Sequence, residues 1–136
     1  MQKYQLIFIS HNKLAAGVKT ALEMIAGPQE VSTYGLMPGE KPDDRVKEIE
    51  AKMNADTNYL ILADLLGGSM ANSAVSLISR PNVKMITGLN LALALQAALE
   101  KPWTDDQIKK IITSAQKNVQ QVKIEKKAEN PMEDFF

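Results

Sequence analysis

The chain has 136 residues, 45% hydrophobic and 24% charged, with sixteen basic residues balanced by sixteen acidic ones. That length fits one domain with a real core, and the zero net charge supplies no field for nucleic acid or an acidic membrane surface. With no cysteine and a single histidine, disulfide scaffolds, thiolate chemistry and zinc sites built on several imidazoles are excluded.

The N-terminus lacks the apolar centre and cleavage site of a signal peptide. No apolar stretch approaches the roughly 20 residues that span a bilayer. The expectation is a cytoplasmic protein. Residues 4–10 (YQLIFIS) form an apolar run that predicts a first strand, and His11 follows it at once. Residues 14–26 place Leu14, Val18, Leu22 and Ile25 at helical spacing, and Gly27-Pro28 stops that helix. Residues 31–36 read as a weaker second strand. Pro42-Asp43-Asp44 opens a helix to about residue 55, its acids suited to the helix dipole.

Residues 58–64 (NYLILAD) form the most apolar strand, broken by Gly67-Gly68-Ser69. A short helix over 71–79, a fourth strand over 83–88 and a very apolar helix over 91–100 follow. Thr104 is an N-cap signal, and Gln107, three residues on, can complete a capping box. The last helix runs to about residue 119. Residues 121–126 (QVKIEK) alternate as an edge strand would. Strands alternating with helices imply a single-domain α/β three-layer sandwich around a mostly parallel sheet. The strand order expected is 2-1-3-4, with the C-terminal edge strand added. The domain is placed at residues 1–127, with a tail over 128–136.

In such a sheet, ligands bind at the carboxyl ends of the strands, where the winding reverses. An order of 2-1-3-4 puts that reversal between strands one and three, so His11 and Asp64 meet there. A carboxylate that accepts the proton of one ring nitrogen fixes the tautomer and leaves the other nitrogen with a free lone pair. Glycines before a helix allow close approach, and a helix start favours an anion. Gly67, Gly68 and Ser69 are therefore the candidate phosphate-binding residues beside a histidine nucleophile. Each has a plain structural reading as well: a satisfied imidazole, an aspartate closing a turn, a strand-to-helix turn. What favours chemistry is their convergence on one crevice.

Ser10 and Asn12 flank the histidine, and either serves to cap the first helix or to donate to a bound phosphate. Asn90 has the same two readings, as cap of the apolar helix or as crevice lining. Met70, next to Ser69, is placed on the rim as part of a partner-docking surface. No metal or cofactor is expected. A receiver domain would carry an acidic pair after its first strand, where Ser10-His11-Asn12 stands here. A hydrolase built on Ser69 lacks the nucleophile-elbow sequence. A non-catalytic anion-binding or regulatory module on the same fold stays open.

The strand ending in Ser10-His11, the Ala63-Asp64-Leu65-Leu66-Gly67-Gly68-Ser69 segment and Gly88-Leu89-Asn90-Leu91 resemble the IIA component of the mannose-family sugar phosphotransferase system. The resemblance runs from residue 4 to about residue 126. It implies a phosphotransferase component that takes a phosphoryl group from the carrier protein HPr onto His11. That group then passes to a separate IIB component, which serves the membrane components IIC and IID. It also implies a homodimer, with QVKIEK as the candidate for a strand exchanged between subunits. Asn12 stands where the family often has Gly, and Met70 and Ala92 where it often has Pro. These departures bear on partner and sugar specificity and leave every reacting group in place.

Overall fold

A computed structural model describes residues 2–124. Four parallel strands, β1 (Lys3–His11), β2 (Val31–Leu36), β3 (Thr57–Ala63) and β4 (Val83–Thr87), form one sheet in the order β2-β1-β3-β4. The helices are α1 (Leu14–Ala26), α2 (Pro42–Ala51), α3 (Ser69–Ala74), α4 (Leu91–Leu99) and α5 (Asp105–Gln116), with a 3-10 turn at Val75–Ser79. The expected α/β sandwich and strand order are the observed ones. The helix expected over 71–79 begins instead at Ser69 and tightens into the 3-10 turn after Ala74.

Central strands in a parallel sheet are buried on both faces, which is why β1 and β3 read as unbroken apolar runs. Successive side chains point to opposite faces. Leu6, Phe8, Leu60 and Leu62 join the core beneath α1, α4 and α5, with Leu22, Leu93, Ala97 and Ile111. Ile7, Ile9, Ile61 and Ala63 join the core beneath α2 and α3, with Ile49, Met70 and Leu77. On α1 the buried stripe is Ala15, Val18 and Leu22, while Leu14 and Ile25 are exposed. Val18 and Leu22 are buried as their spacing suggests, and Ala15 replaces Leu14 and Ile25 at the edge of the stripe. The apolar α4 packs against both α1 and α5.

Thr104 caps α5, accepting the Gln107 N–H at 3.1 Å. The Gln107 amide reaches Glu100 at 2.9 Å, so the reciprocal half of the expected capping box is not made. Trp103 is buried, and its indole donates to the Ala97 carbonyl at 2.9 Å. Residues 121–124 pair with no strand, and Val122 and Ile124 are exposed. The rest of the expected edge strand, residues 125 and 126, and the tail over 128–136 lie outside the described residues.

Candidate active site

β1 lies between β2 and β3, so the chain winds away from it in both directions and opens a crevice at the carboxyl ends of β1 and β3. His11 is the last residue of β1, and Asp64 follows β3 directly. The Asp64 N–H donates to the Ile9 carbonyl at 3.1 Å, which ties the loop after β3 to the end of β1. The strand's two-residue period then separates the neighbours. Ser10 falls on the side of Leu6 and Phe8, toward α1, and His11 on the side of Ile7 and Ile9, toward α3.

The carboxylate of Asp64 holds His11 twice through one oxygen. Oδ2 accepts the His11 backbone N–H at 2.8 Å and lies 2.7 Å from Nδ1. Oδ1 accepts the Leu65 N–H at 2.9 Å. Asp64 is nearly enclosed, its side chain 7% exposed, whereas the imidazole is 47% exposed. Burial by itself would raise the carboxyl pKa. The hydrogen bonds from the His11 amide and ring, the attraction of an imidazolium and the Leu65 amide outweigh it, and the group is held below its ordinary value.

With Asp64 ionised, Nδ1 carries the proton and Nε2 the lone pair. Ser69, the first residue of α3, places its Oγ 3.1 Å from Nε2. Its hydroxyl donates to that lone pair in this tautomer. Gly67 has φ of +78°, a conformation that an L side chain rarely adopts. Gly68 is extended, and a Cβ there would stand 3.4 Å from Cε1 of His11 and 3.2 Å from Cβ of Leu65. The loop packs its backbone against the ring.

The expected residues do not all converge. His11, Asp64, Gly68 and Ser69 are in contact, but the Gly68 N–H is committed to the Leu65 carbonyl at 3.1 Å. The amides of Gly67 and Ser69 have no partner among the described residues. Met70 is fully buried in the core beneath α2 and α3, which corrects its placement on a docking rim. Because α3 starts at Ser69, the next side chain turns under the sheet. Ser10 is also fully buried, so it does not line the crevice rim; its Oγ accepts the Ala15 N–H at 2.8 Å, near the start of α1. Asn90 caps α4, its Oδ1 accepting the Leu93 N–H at 2.8 Å. Asn12 is exposed in a left-handed turn with φ of 52°.

Two supporting residues were not anticipated. Asn72 braces the glycine turn by donating to the Gly67 carbonyl at 3.1 Å. Gly35 leaves room on β2 for the Asn12 carbonyl, which a Cβ would overlap. A glycine inside a strand pattern signals such a close backbone approach. No three acidic or histidine side chains cluster as a metal site among the described residues.

A family model described as "PTS system fructose IIA component" matches residues 5–116. Among solved structures, a phosphotransferase-system component EIIA from Streptococcus agalactiae is 28% identical, with a TM-score of 0.77 over 87% of this chain and 96% of that one. A PTS IIA protein associated with the fucose utilization operon of Streptococcus pneumoniae is 25% identical, with a TM-score of 0.71 over 88% of this chain and 93% of that one. The mannose/sorbose-specific IIA subunit from Enterococcus faecalis, 24% identical, shares the fold with a TM-score of 0.81 over 93% of this chain and all of that one (100%).

Proposed function

The chain belongs to the IIA family of sugar phosphotransferase-system components, and from that premise we propose that it is a cytoplasmic phosphoryl carrier that accepts a phosphoryl group on His11 from phospho-HPr and passes it to a IIB component. The observation that supports this most directly is the pair of contacts on the imidazole: a carboxylate at Nδ1 and a hydroxyl at Nε2. The first leaves Nε2 as the nucleophile. The second sits where a phosphoryl oxygen on Nε2 needs a donor.

In the forward step the Nε2 lone pair attacks phosphorus in line. The new N–P bond forms as the N–P bond to the HPr histidine breaks, and that leaving imidazole keeps the electron pair. Asp64 stays hydrogen-bonded to Nδ1–H and offsets the positive charge that develops on the ring. Ser69 turns its O–H from Nε2 to a phosphoryl oxygen, with the Gly67 and Ser69 amides as further donors. Phosphoryl transfer depends mainly on positioning and electrostatics, and the transfer balances between two histidines. The same chemistry with IIB as acceptor empties the site. Donor and acceptor are both proteins, so a half-exposed ring on an open edge suits the role better than an enclosed pocket. The IIC and IID membrane components lie downstream of IIB. A homodimer with an exchanged C-terminal strand belongs to the same reading.

The test is to incubate the protein with phosphoenolpyruvate, enzyme I and HPr and to measure acid-labile, alkali-stable phosphate on it. His11→Ala should drop to background. Equal labelling of the variant and the wild type sinks the carrier reading. A bound anion without labelling favours a non-catalytic module.

A further inference from the structure

We propose that Ser10 is a positioning residue for His11, acting through the left-handed turn at Asn12. The proposal rests on the reading of His11 as the phosphoryl carrier. The chain must leave the sheet immediately after His11, and it does so through Asn12 at φ of 52°, a conformation that residues other than glycine take at a cost. That conformation is held from three sides. The Asn12 N–H donates to the Leu36 carbonyl of β2 at 2.8 Å. The Ser10 hydroxyl donates to the Asn12 carbonyl at 3.3 Å. Gly35 offers no Cβ where that carbonyl lies.

Ser10 uses its hydroxyl in both directions, because Oγ also accepts the Ala15 N–H at 2.8 Å. Lys13, the residue at the N-cap of α1, makes no side-chain cap bond. Ser10 therefore joins the turn after His11 to the first turn of α1 from a position with 0% exposure. Without its hydroxyl, a turn carbonyl and a helix amide both lose their partner, and a polar group buried without a partner drives local rearrangement.

His11 sits between Ser10 and Asn12, so its backbone is fixed by this turn. Asp64 and Ser69 come from beyond β3. A small rotation of the β1 end relative to β3 changes the 2.7 Å contact at Nδ1 and the 3.1 Å contact at Nε2 together. Ser10 thus sets the tautomer and aim of a ring that it does not touch.

The experiment compares wild type, Ser10→Ala and Gly35→Ala. Gly35→Ala crowds the Asn12 carbonyl from β2 and perturbs the same turn without touching Ser10. Imidazole 15N NMR of the unphosphorylated protein reads the His11 tautomer, single-turnover transfer from phospho-HPr reads the rate, and thermal unfolding reports folding. Both variants should lose part of the Nδ1–H tautomer signature. Ser10→Ala should slow transfer about five- to tenfold, the factor one neutral hydrogen bond supplies. Adding Asn12→Gly should recover part of that loss, since glycine takes positive φ unaided.

The proposal is overturned if the variants that fold keep the wild-type tautomer and transfer within about twofold, below the worth of one hydrogen bond. A loss equally large in the Asn12→Gly background overturns the route through Asn12. Labelling of His11→Ala decides the carrier reading separately, because the imidazole spectrum is read without any phosphoryl donor.

Discussion

The two ends of the sheet both gather polar side chains, and they use them differently. At the amino end, Asn82 donates to the carbonyls of Asn54 at 2.9 Å and Thr57 at 2.8 Å. Lys84 reaches the Trp103 carbonyl at 2.7 Å and Asp105 at 3.0 Å, and Asn58 reaches Gln2 and the Lys3 carbonyl. Each of these groups is engaged in fastening one segment to another. At the carboxyl end, Asp64 fastens His11 but leaves Nε2 facing a hydroxyl at the protein surface. Hollows line the amino end and the cleft between α4 and α5, whereas the His11 ring stands outside them. A group committed to backbone carbonyls holds structure. A polarised nitrogen with a displaceable partner and access to solvent is available for chemistry.

Substitutions at the two ends should separate rate from stability. Asp64→Ala removes the acceptor for the His11 amide, its Nδ1–H and the Leu65 amide. Transfer from phospho-HPr should slow on the order of 100-fold, the cost of misaiming a reacting group, while the protein remains folded at neutral pH. Quench-flow transfer rates check this, and an unchanged rate would remove the orienting role of Asp64. Asn82→Ala should do the reverse. Losing two hydrogen bonds to backbone carbonyls costs about 1–2 kcal/mol of stability, read as a shifted urea midpoint, with the transfer rate unchanged. A slowed rate in Asn82→Ala would mean that the ends of the sheet are coupled and the contrast between them is wrong.

Much of this arrangement was legible in the sequence. Alternating strands and helices gave the parallel sheet, and the 2-1-3-4 order put His11 and Asp64 on adjoining strand ends. That pairing needs only topology, because parallel neighbours in a sheet end at the same edge. The misreadings lie where helical phase decides. Adjacency to Ser69 points Met70 to the rim, but a helix turns about 100° per residue, and starting α3 at Ser69 sends Met70 into the core. The same sensitivity to phase shifts the edge of the α1 stripe, where Ala15 is buried in place of Leu14 and Ile25, while Val18 and Leu22 are buried as expected. Ser10 is the opposite case: strand parity alone sends it toward α1 and its neighbour His11 toward α3. Asn72 supports the site through the Gly67 carbonyl, which no pattern of side-chain types reveals, whereas Gly35 carries a signal, a glycine inside a strand, that marks a close backbone approach without naming its partner.

The smallest expected effect separates the ends by pH. Asp64 is held below its ordinary value of 3.8 because the hydrogen bonds and the imidazolium at His11 and the Leu65 amide outweigh the effect of burial. A carboxylate whose folded pKa lies below its unfolded one stabilises the fold above the unfolded value. That contribution fades as the pH falls through the folded value, because the native state must then take up a proton it resists. Asp64→Asn lacks this contribution at every pH. The melting temperature of the wild type should therefore exceed that of Asp64→Asn at neutral pH, with the gap narrowing below about pH 4, where unfolded carboxyls begin to protonate. Asn82→Ala, which removes no ionisable group, should instead run parallel to the wild type through the same range. A gap between wild type and Asp64→Asn that stays constant down to the acid limit would mean that His11 does not hold the carboxylate charged, and the electrostatic half of the contrast between the two edges would fail.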